Sequence, residues 1–452
     1  MANTSIRRTN SGNGNRKKWT VSWWEKKNKL GAVQRIFSCD EAGNNNHDDF
    51  FQWQTDDKLV IGFYDSGYYL NLTPDRNFRD TNGWYHFVFT WDTAQATASD
   101  RAKFYINGVR ETVFATETYP SQNQDSFINT TEPIEIGKRS DNDTQYLEST
   151  LSHIHFCDGY AYTPSDFGST DATTGEWKII TSPSVSYGTN GFFILKDGNS
   201  LTDESPNSNN WSSVSGTLTN TEDCPDNVFC TLNPLDCDLV SGLSNGNNTF
   251  SGFNTGTDYS ATSSTLSASS GKFYWEAKVT DLAEIDQVGV RLQNGVSMSI
   301  QGSNGSAGLQ GTAYGGKSVQ FSNGNKAGDG AQSAYMGGFS ANDIIMVALD
   351  LDNNKITFGR NGQWSDGSGN ANQTYANSTA AFTNLTAGEF YCPAQTSRSY
   401  GSNSGTTQYN FGNGYFGTTA ISSEGTNASN IGKFEYDIPS GFTALSTKGL
   451  NE

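Results

Sequence analysis

Trp84-Tyr-His-Phe-Val-Phe-Thr-Trp91, followed by Arg101-Ala-Lys-Phe-Tyr-Ile-Asn-Gly-Val109, reads as a strand, a polar turn and a second strand that ends on Asn-Gly. The same grammar returns far along the chain. Asn342-Asp-Ile-Ile-Met-Val-Ala-Leu-Asp-Leu351 is followed by Lys355-Ile-Thr-Phe-Gly-Arg-Asn-Gly-Gln-Trp364. Asn-Gly accepts positive φ at both central positions, so each copy predicts a tight type I′ hairpin. Along Trp84–Trp91, one face carries Tyr85, Phe87, Phe89 and Trp91. The other carries Trp84, His86, Val88 and Thr90. The more aromatic row is expected to face an opposing sheet, where its burial drives sandwich formation. Ile345, Val347, Leu349 and Leu351 share a face in the second copy. The expectation is all-β: two antiparallel β-sandwiches joined by an irregular segment.

Composition agrees with that class. Of 452 residues, 34% are hydrophobic and 17% charged, while 48 are Gly and 13% aromatic. Turn formers alternating with aromatic and β-branched runs are what many short strands require. The length predicts more than one domain. Four segments follow: a basic N-terminal arm over 1–18, a sandwich over 19–165, an irregular connector over 166–237 and a second sandwich over 238–452. Pro183, Pro206, Pro225 and Pro234 fall in the connector, beside short apolar pieces such as Gly191-Phe-Phe-Ile-Leu195. The Gly-, Ser- and Asn-rich stretch 294–338 reads as long loops, a loop-built contact surface being the functional alternative.

The net charge of −18 opposes a nucleic-acid partner, whose phosphates need a basic face. The clustered cations Arg7, Arg8, Arg16, Lys17 and Lys18 read as a flexible arm, or as an anchor onto an acidic partner surface. No apolar run reaches the length of a membrane span, and the N-terminus has no apolar signal segment. None of the six cysteines has zinc-knuckle spacing. Cys224, Cys230 and Cys237 fall together, and reduced thiols are the expectation for a chain made in a cytoplasm.

Catalytic constellations are missing. No nucleophile elbow or P-loop occurs. Glu284-Ile-Asp286 begins a Glu-x-Asp-x-x-Glu row of the glycosidase kind, but Gly289 stands where the last acid is needed. Calcium could be held by His47-Asp-Asp49, Asp141-Asn-Asp143 or Asp350-Leu-Asp352, although none has the full spaced set of oxygens. His153 and His155, with Cys157, lie two apart on one strand face. In a trimer such pairs could meet at the axis and bind a transition metal. No cofactor is therefore expected, with a metal at these positions the exception. Aromatic residues carry the ligand reading. Trp53, Tyr64, Tyr68 and Tyr69, with Phe50 and Phe51, exceed what one sheet face buries, and sugar C–H faces stack on such rings. Trp364, just past the second Asn-Gly, is a further candidate for partner contact.

Trp19–Trp24, Trp84–Asp92, Lys103–Val109, Ile134–Gly137 and Leu151–Gly159, in that order, resemble the laminin-G/pentraxin branch of the concanavalin A-like sandwiches. Gly271–Val279, Gln287–Leu292, Asp343–Gly362 and Phe390–Ala394 resemble the strand series of a SPRY domain. With Tyr187–Phe193 and Val228–Pro234 between them and Phe434–Leu445 at the end, the pairing is similar to structural proteins of marine tailed phages. That resemblance implies a non-enzymatic virion surface protein: a fibre, an adhesin or a capsid decoration. Its implied partners are other virion proteins and host cell-surface glycan, with no membrane insertion, and its implied state a homo-oligomer such as a trimer. It would be assembled in the host cytoplasm. The alternatives are a tail fibre that binds host polysaccharide, a head fibre or cement protein with no receptor, and a polysaccharide depolymerase.

Overall fold

A computed structural model describes residues 3–40, 47–196, 198–237, 242–252, 260–283, 285–294, 309, 311, 314–398 and 405–451. The chain divides into two units, Met1–Asn220 and Thr221–Glu452. Each is built on two facing, almost wholly antiparallel sheets. The single α-helix among the described residues is Ala98–Arg101. No helix among them is long and apolar enough to cross a membrane.

In the first unit, an eight-stranded sheet runs Phe114–Thr118, Tyr68–Pro74, Leu59–Asp65, His47–Trp53, Gln34–Asp40, Pro133–Ile136, Ser5–Thr9 and Ser212–Ser215. It faces a six-stranded sheet of Phe192–Ile194, Ser149–Asp158, Lys18–Lys27, Tyr85–Asp92, Ala102–Ile106 and Val109–Arg110. Phe87, Phe89 and Trp91 point into the core with Trp19, Trp23, Phe51 and Phe63, as alternation predicts. Edge-to-face pairs such as Trp23 on Phe51, 5.5 Å between centroids at 82°, fill this core.

The basic stretch is no loose arm over Ser5–Thr9. That segment pairs with Pro133–Ile136 on one side and Ser212–Ser215 on the other, and Ile6 is buried. Ile6 supplies the apolar contact and the two ladders satisfy the backbone, so order is favoured despite the charge. The stretch read as a connector is divided as well. Phe192–Ile194 extends the six-stranded sheet and Ser212–Ser215 forms an edge of the eight-stranded one. Leu232–Cys237 pairs with Ser260–Ser264 in the second unit.

The second unit faces a seven-stranded sheet centred on Ile285–Leu292 and Tyr391–Arg398 against a sheet centred on Lys272–Asp281 and Ile344–Asp350. Ile345, Val347 and Leu349 enter the core with Trp275 and Val288. Met346 and Ala348 point the other way, where Phe434, Ile438 and Phe442 of the C-terminal segment cover them.

Both Asn-Gly turns form as expected. Asn107 and Gly108 have φ of 47° and 82°, Asn361 and Gly362 of 50° and 83°. In each, the Asn side-chain oxygen accepts a backbone N–H from the strand before: His86 at 2.7 Å, Ile344 at 2.8 Å. Each glycine also lies under an aromatic ring. A Cβ would come 2.6 Å from Trp177 at Gly108 and 3.1 Å from Tyr436 at Gly362.

Candidate functional site

The outward face of the eight-stranded sheet brings together the most chemically diverse side chains of the first unit. Register sets the row: Glu135 pairs with Ser38, Ser38 with Phe50, Phe50 with Gly62, and Gly62 with Asn71. The missing side chain at Gly62 lets the Phe50 ring lie flat, only 2.5 Å from where a Cβ would be. The Arg35 guanidinium rests 3.9 Å from the Phe50 ring centroid and grips Asp48 with two bonds of 2.8 and 2.7 Å. This cation–π contact and bidentate fork fix the guanidinium plane. At the edge of the platform, Tyr64 and Tyr68 meet edge-to-face at 5.3 Å, and Tyr68 is 49% exposed.

Asp40 is the cross-strand partner of Asp48. Burial raises the Asp48 carboxyl to about 7 against the pull of Arg35. Burial also pushes Asp40 up, but the hydrogen bond with Asp48 and those from Ser140 (2.6 Å) and Ser38 (3.0 Å) outweigh it and hold it low. Of the two, Asp48 is therefore the carboxyl that holds a proton more readily. Two carboxyls in hydrogen-bond contact are closer than the roughly 5–9.5 Å that retaining and inverting glycoside hydrolysis need. The arrangement can bind hydroxyls but is not spaced for sugar-bond cleavage.

Several sequence candidates lie elsewhere. Trp53 is fully buried, with its Nε1 donating to Glu25 Oε1 at 2.8 Å. Trp23 and Ser149 donate to the same carboxyl, whose pKa burial raises. Trp53 is therefore a core residue that satisfies a buried acid, not a ligand platform. Tyr69 packs inward on Phe63 and donates its hydroxyl to Asp49 at 2.5 Å. Asp49 also accepts the N–H groups of Phe127 and Ile128, and burial raises it to about 7. Trp364 is 4% exposed, wedged against Tyr274 and Tyr375, so the loop-contact expectation is corrected there too.

His153 and His155 do not reach an accessible axis. His155 stacks on Phe193 at 3.9 Å and shares a 2.9 Å hydrogen bond with the Tyr187 hydroxyl. Burial lowers its pKa well below the ordinary value. His153 is also buried, and its Nδ1 meets Ser152 Oγ at 2.7 Å. Covered by their own chain, these imidazoles cannot meet those of symmetry copies. His86, unassigned from sequence, lies stacked between Trp24 (4.7 Å) and Trp177 (6.0 Å). Its Nδ1 accepts from Trp177 Nε1 at 2.9 Å, Ser22 Oγ meets its Nε2 at 2.8 Å, and burial lowers its pKa to about 3. It is a neutral structural histidine.

Of the carboxylates read as calcium ligands, Asp49 and Asp352 accept neutral O–H or N–H groups, Asp48 is held by Arg35, and the others are engaged by cations too. Asp143 meets Lys138 at 2.6 Å, Asp141 meets Arg139 at 2.7 Å, and Asp350 meets Lys355 at 3.7 Å. Among the described residues no group of three or more His, Cys, Asp or Glu is gathered as a metal site. Glu284 lies outside the described residues. Asp286 is buried, accepts the Ala283 N–H at 2.7 Å, and is raised to about 6 by burial. Cys39, Cys157, Cys224 and Cys392 are free thiols. Of the basic residues, Arg7 pairs with Glu135 at 2.9 Å and Lys18 with Asp92 at 3.4 Å. Arg16 donates to the Ser126 carbonyl at 2.7 Å. Arg8 reaches the Asn190 carbonyl at 3.2 Å, and Lys17 is exposed.

Sequence reasoning missed Arg35, Asp40 and Asp48 as a unit. The only signal was alternation within Gln34–Asp40 and His47–Trp53, which a bulge between Arg35 and Phe37 interrupts.

Residues 2–166 match the laminin-G family model described as the concanavalin A-like lectin/glucanases superfamily. The first unit thus carries a concanavalin A-like lectin fold. Among solved structures, the chain is similar to the SPRY domain of human HERC1, at 17% identity, 39% of this chain, 96% of that one and a TM-score of 0.29. It is also similar to a heptameric SAP-like pentraxin from Limulus polyphemus, at 16% identity, 48% of this chain, 89% of that one and a TM-score of 0.30. A third is domain 4 of the extracellular arabinanase AbnA from Geobacillus stearothermophilus, in complex with arabinotriose. It shares 19% identity over 33% of this chain and 65% of that one, with a TM-score of 0.26. These scores are too low for the likenesses to bear on function. No curated protein matches the chain.

Proposed function

We propose that this is a non-enzymatic surface protein of a phage particle that contacts host-surface glycan through the outward face of its first unit. The observation that carries the glycan reading is the exposed Tyr68 ring, set edge-to-face on Tyr64 and Phe50. Tyr68 offers an aromatic face for sugar C–H groups, and the buried Phe50 and Arg35, with Asp48, hold the surface beneath it in place. The lectin/glucanase family match over residues 2–166 supports it. The particle assignment rests on the order of a laminin-G-like and a SPRY-like sandwich in one chain. A capsid or tail position and an oligomeric state such as a trimer belong to the same proposal.

A glycan array with the full chain tests the binding half. Selective binding that Tyr68→Ala weakens at least tenfold is the expected result. An array without signal, or one that Tyr68→Ala leaves intact, refutes this face as the site. Mass spectrometry of purified virions tests the particle half; absence of the chain from them refutes it.

A further inference from the structure

The outward face of the six-stranded sheet lies under a cover formed by residues 160–187. Val88, Cys157 and Phe193 of the sheet pack there with Phe167 and Tyr187 of the cover, and Cys157 is fully buried. Two histidines of the sheet hold the cover. The Trp177 indole stacks 6.0 Å from His86, and its Nε1 donates to His86 Nδ1 at 2.9 Å. An indole N–H only donates, so His86 Nδ1 must be unprotonated. The ring's proton then sits on Nε2, facing Ser22 Oγ at 2.8 Å. On another strand of the sheet, His155 stacks on Phe193 at 3.9 Å, bonds the Tyr187 hydroxyl at 2.9 Å and lies 6.5 Å from His153. Three of the chain's four histidines thus lie buried at this covered face.

A proton added to His86 would land on Nδ1, against the Trp177 N–H, and remove the acceptor that holds the indole. One added to His155 would place a charge among Phe167, Phe193 and Tyr187, away from water. The other ionisable groups on the packed elements are Lys26, Lys103, Tyr105 and Arg110 on neighbouring strands, and His153 and Cys157 beside His155. Asp203 binds the Phe193 N–H, and the cover itself carries Tyr162, Asp166, Asp171, Glu176 and Lys178. No carboxylate among the described residues bonds to either ring; their partners are Trp177, Ser22 and Tyr187. Asp48 and Asp49, which burial raises, stand on the other sheet. They offset the histidines when the whole unit unfolds and play no part when the cover alone lifts.

We propose that this cover is an acid latch: protonation of His86 and His155 frees residues 160–187 from the sheet face while both sheets stay paired. Covered, the two rings are neutral, since burial holds His86 at about 3 and His155 well below its ordinary value. Uncovered, each takes up a proton below about 6.5. The latch is therefore complete above that pH and loosens about tenfold per histidine for each unit below it. The test uses Cys157, sealed beneath the cover, and Cys39, in the core between the sheets. The full chain is pulse-labelled with a pyridyl disulfide at about pH 7.5 and about pH 4.5, on either side of the ordinary histidine value. Each rate is taken relative to glutathione in the same buffer, and mass spectrometry maps the labelled sites. Cys157 labelling should rise about a hundredfold or more at the lower pH, with Cys39 unchanged. His86→Gln, whose amide can still accept from Trp177 and donate to Ser22, should cut that rise about tenfold or more and leave labelling at the higher pH unchanged. Cys157 labelling that ignores pH overturns the proposal. So does an equal rise at Cys39, which marks unfolding of the whole unit, or an undiminished rise in His86→Gln. The wild-type series stands as a test even if that variant does not fold.

Discussion

Tyr68 in the first unit and Trp364 in the second both follow the turn that closes a strand pair, and both are aromatic residues of the kind that sequence marks for ligand contact. Tyr68 ends 49% exposed beside Phe50, whereas Trp364 ends 4% exposed against Tyr274 and Tyr375. The difference lies in what comes later in the chain. In the second unit the C-terminal segment lays Phe434, Ile438 and Phe442 over that side of the sheet. The Glu276 carboxylate pins it by accepting the N–H groups of Glu435 and Tyr436, each at 2.9 Å. An aromatic residue on a strand thus reports a surface only when no covering segment follows, and the local pattern does not contain that fact.

Truncating the buried members of the comparison should have the largest effect. Trp53→Ala and Trp364→Ala should each cost about 3–5 kcal/mol, as deletions of buried rings do. Denaturant unfolding measures this, and a cost under about 1 kcal/mol for Trp364 would show that the C-terminal cover is not held by it. Next come the hairpin glycines. Gly108→Ala and Gly362→Ala force a side chain into positive φ beneath a ring, at about 1–3 kcal/mol each. Gly108 should suffer more, because its Cβ would approach Trp177 more closely than that of Gly362 approaches Tyr436.

The two units should also respond differently to pH. Glu276 sits at about 7 when folded and Asp286 at about 6, both raised by burial. The folded second unit therefore binds more protons than the unfolded one. That contribution is complete below the unfolded carboxylate values and is lost as pH rises through the folded ones. The second unit has no histidine, so its stability should fall steadily from about pH 5 to about pH 8. The first unit has Asp48 and Asp49 near 7, but also His86 and His155, held neutral by burial. Those histidines take up protons only on unfolding, below about 6.5, and so offset the carboxyls. Its stability should stay level to about pH 6.5 and fall only above it. Hydrogen exchange on the full chain, read unit by unit, separates a plateau from a slope; two parallel profiles would contradict it. The smallest effect is expected at Tyr68. Its replacement by Ala should change stability by less than about 0.5 kcal/mol, which thermal unfolding would reveal.

Much of the fold was legible. The alternation of Trp84–Trp91 and Asn342–Leu351 assigned both core faces, and the two Asn-Gly pairs located both hairpins. The first strand was not legible. Ser-Ile-Arg-Arg-Thr carries one apolar residue, and its order comes from partners distant in sequence, Pro133–Ile136 and Ser212–Ser215. The candidate site was legible by composition and not by membership. The aromatic surplus over residues 50–69 was visible, but which rings face outward depends on a bulge near Arg35 and on the buried partners of Trp53 and Tyr69.

The hairpin asparagines have a consequence for chemical ageing. In a loose chain, the backbone nitrogen of the glycine attacks the preceding asparagine amide and releases ammonia. In these turns the Asn107 and Asn361 amide oxygens are held by the N–H groups of His86 and Ile344, and the Gly362 N–H faces Met346 Sδ at 3.1 Å. Attack requires the turn to open. Deamidation at the two sites should therefore advance no faster than the hairpins unfold, and peptide mapping after long storage would record how often each unit has opened.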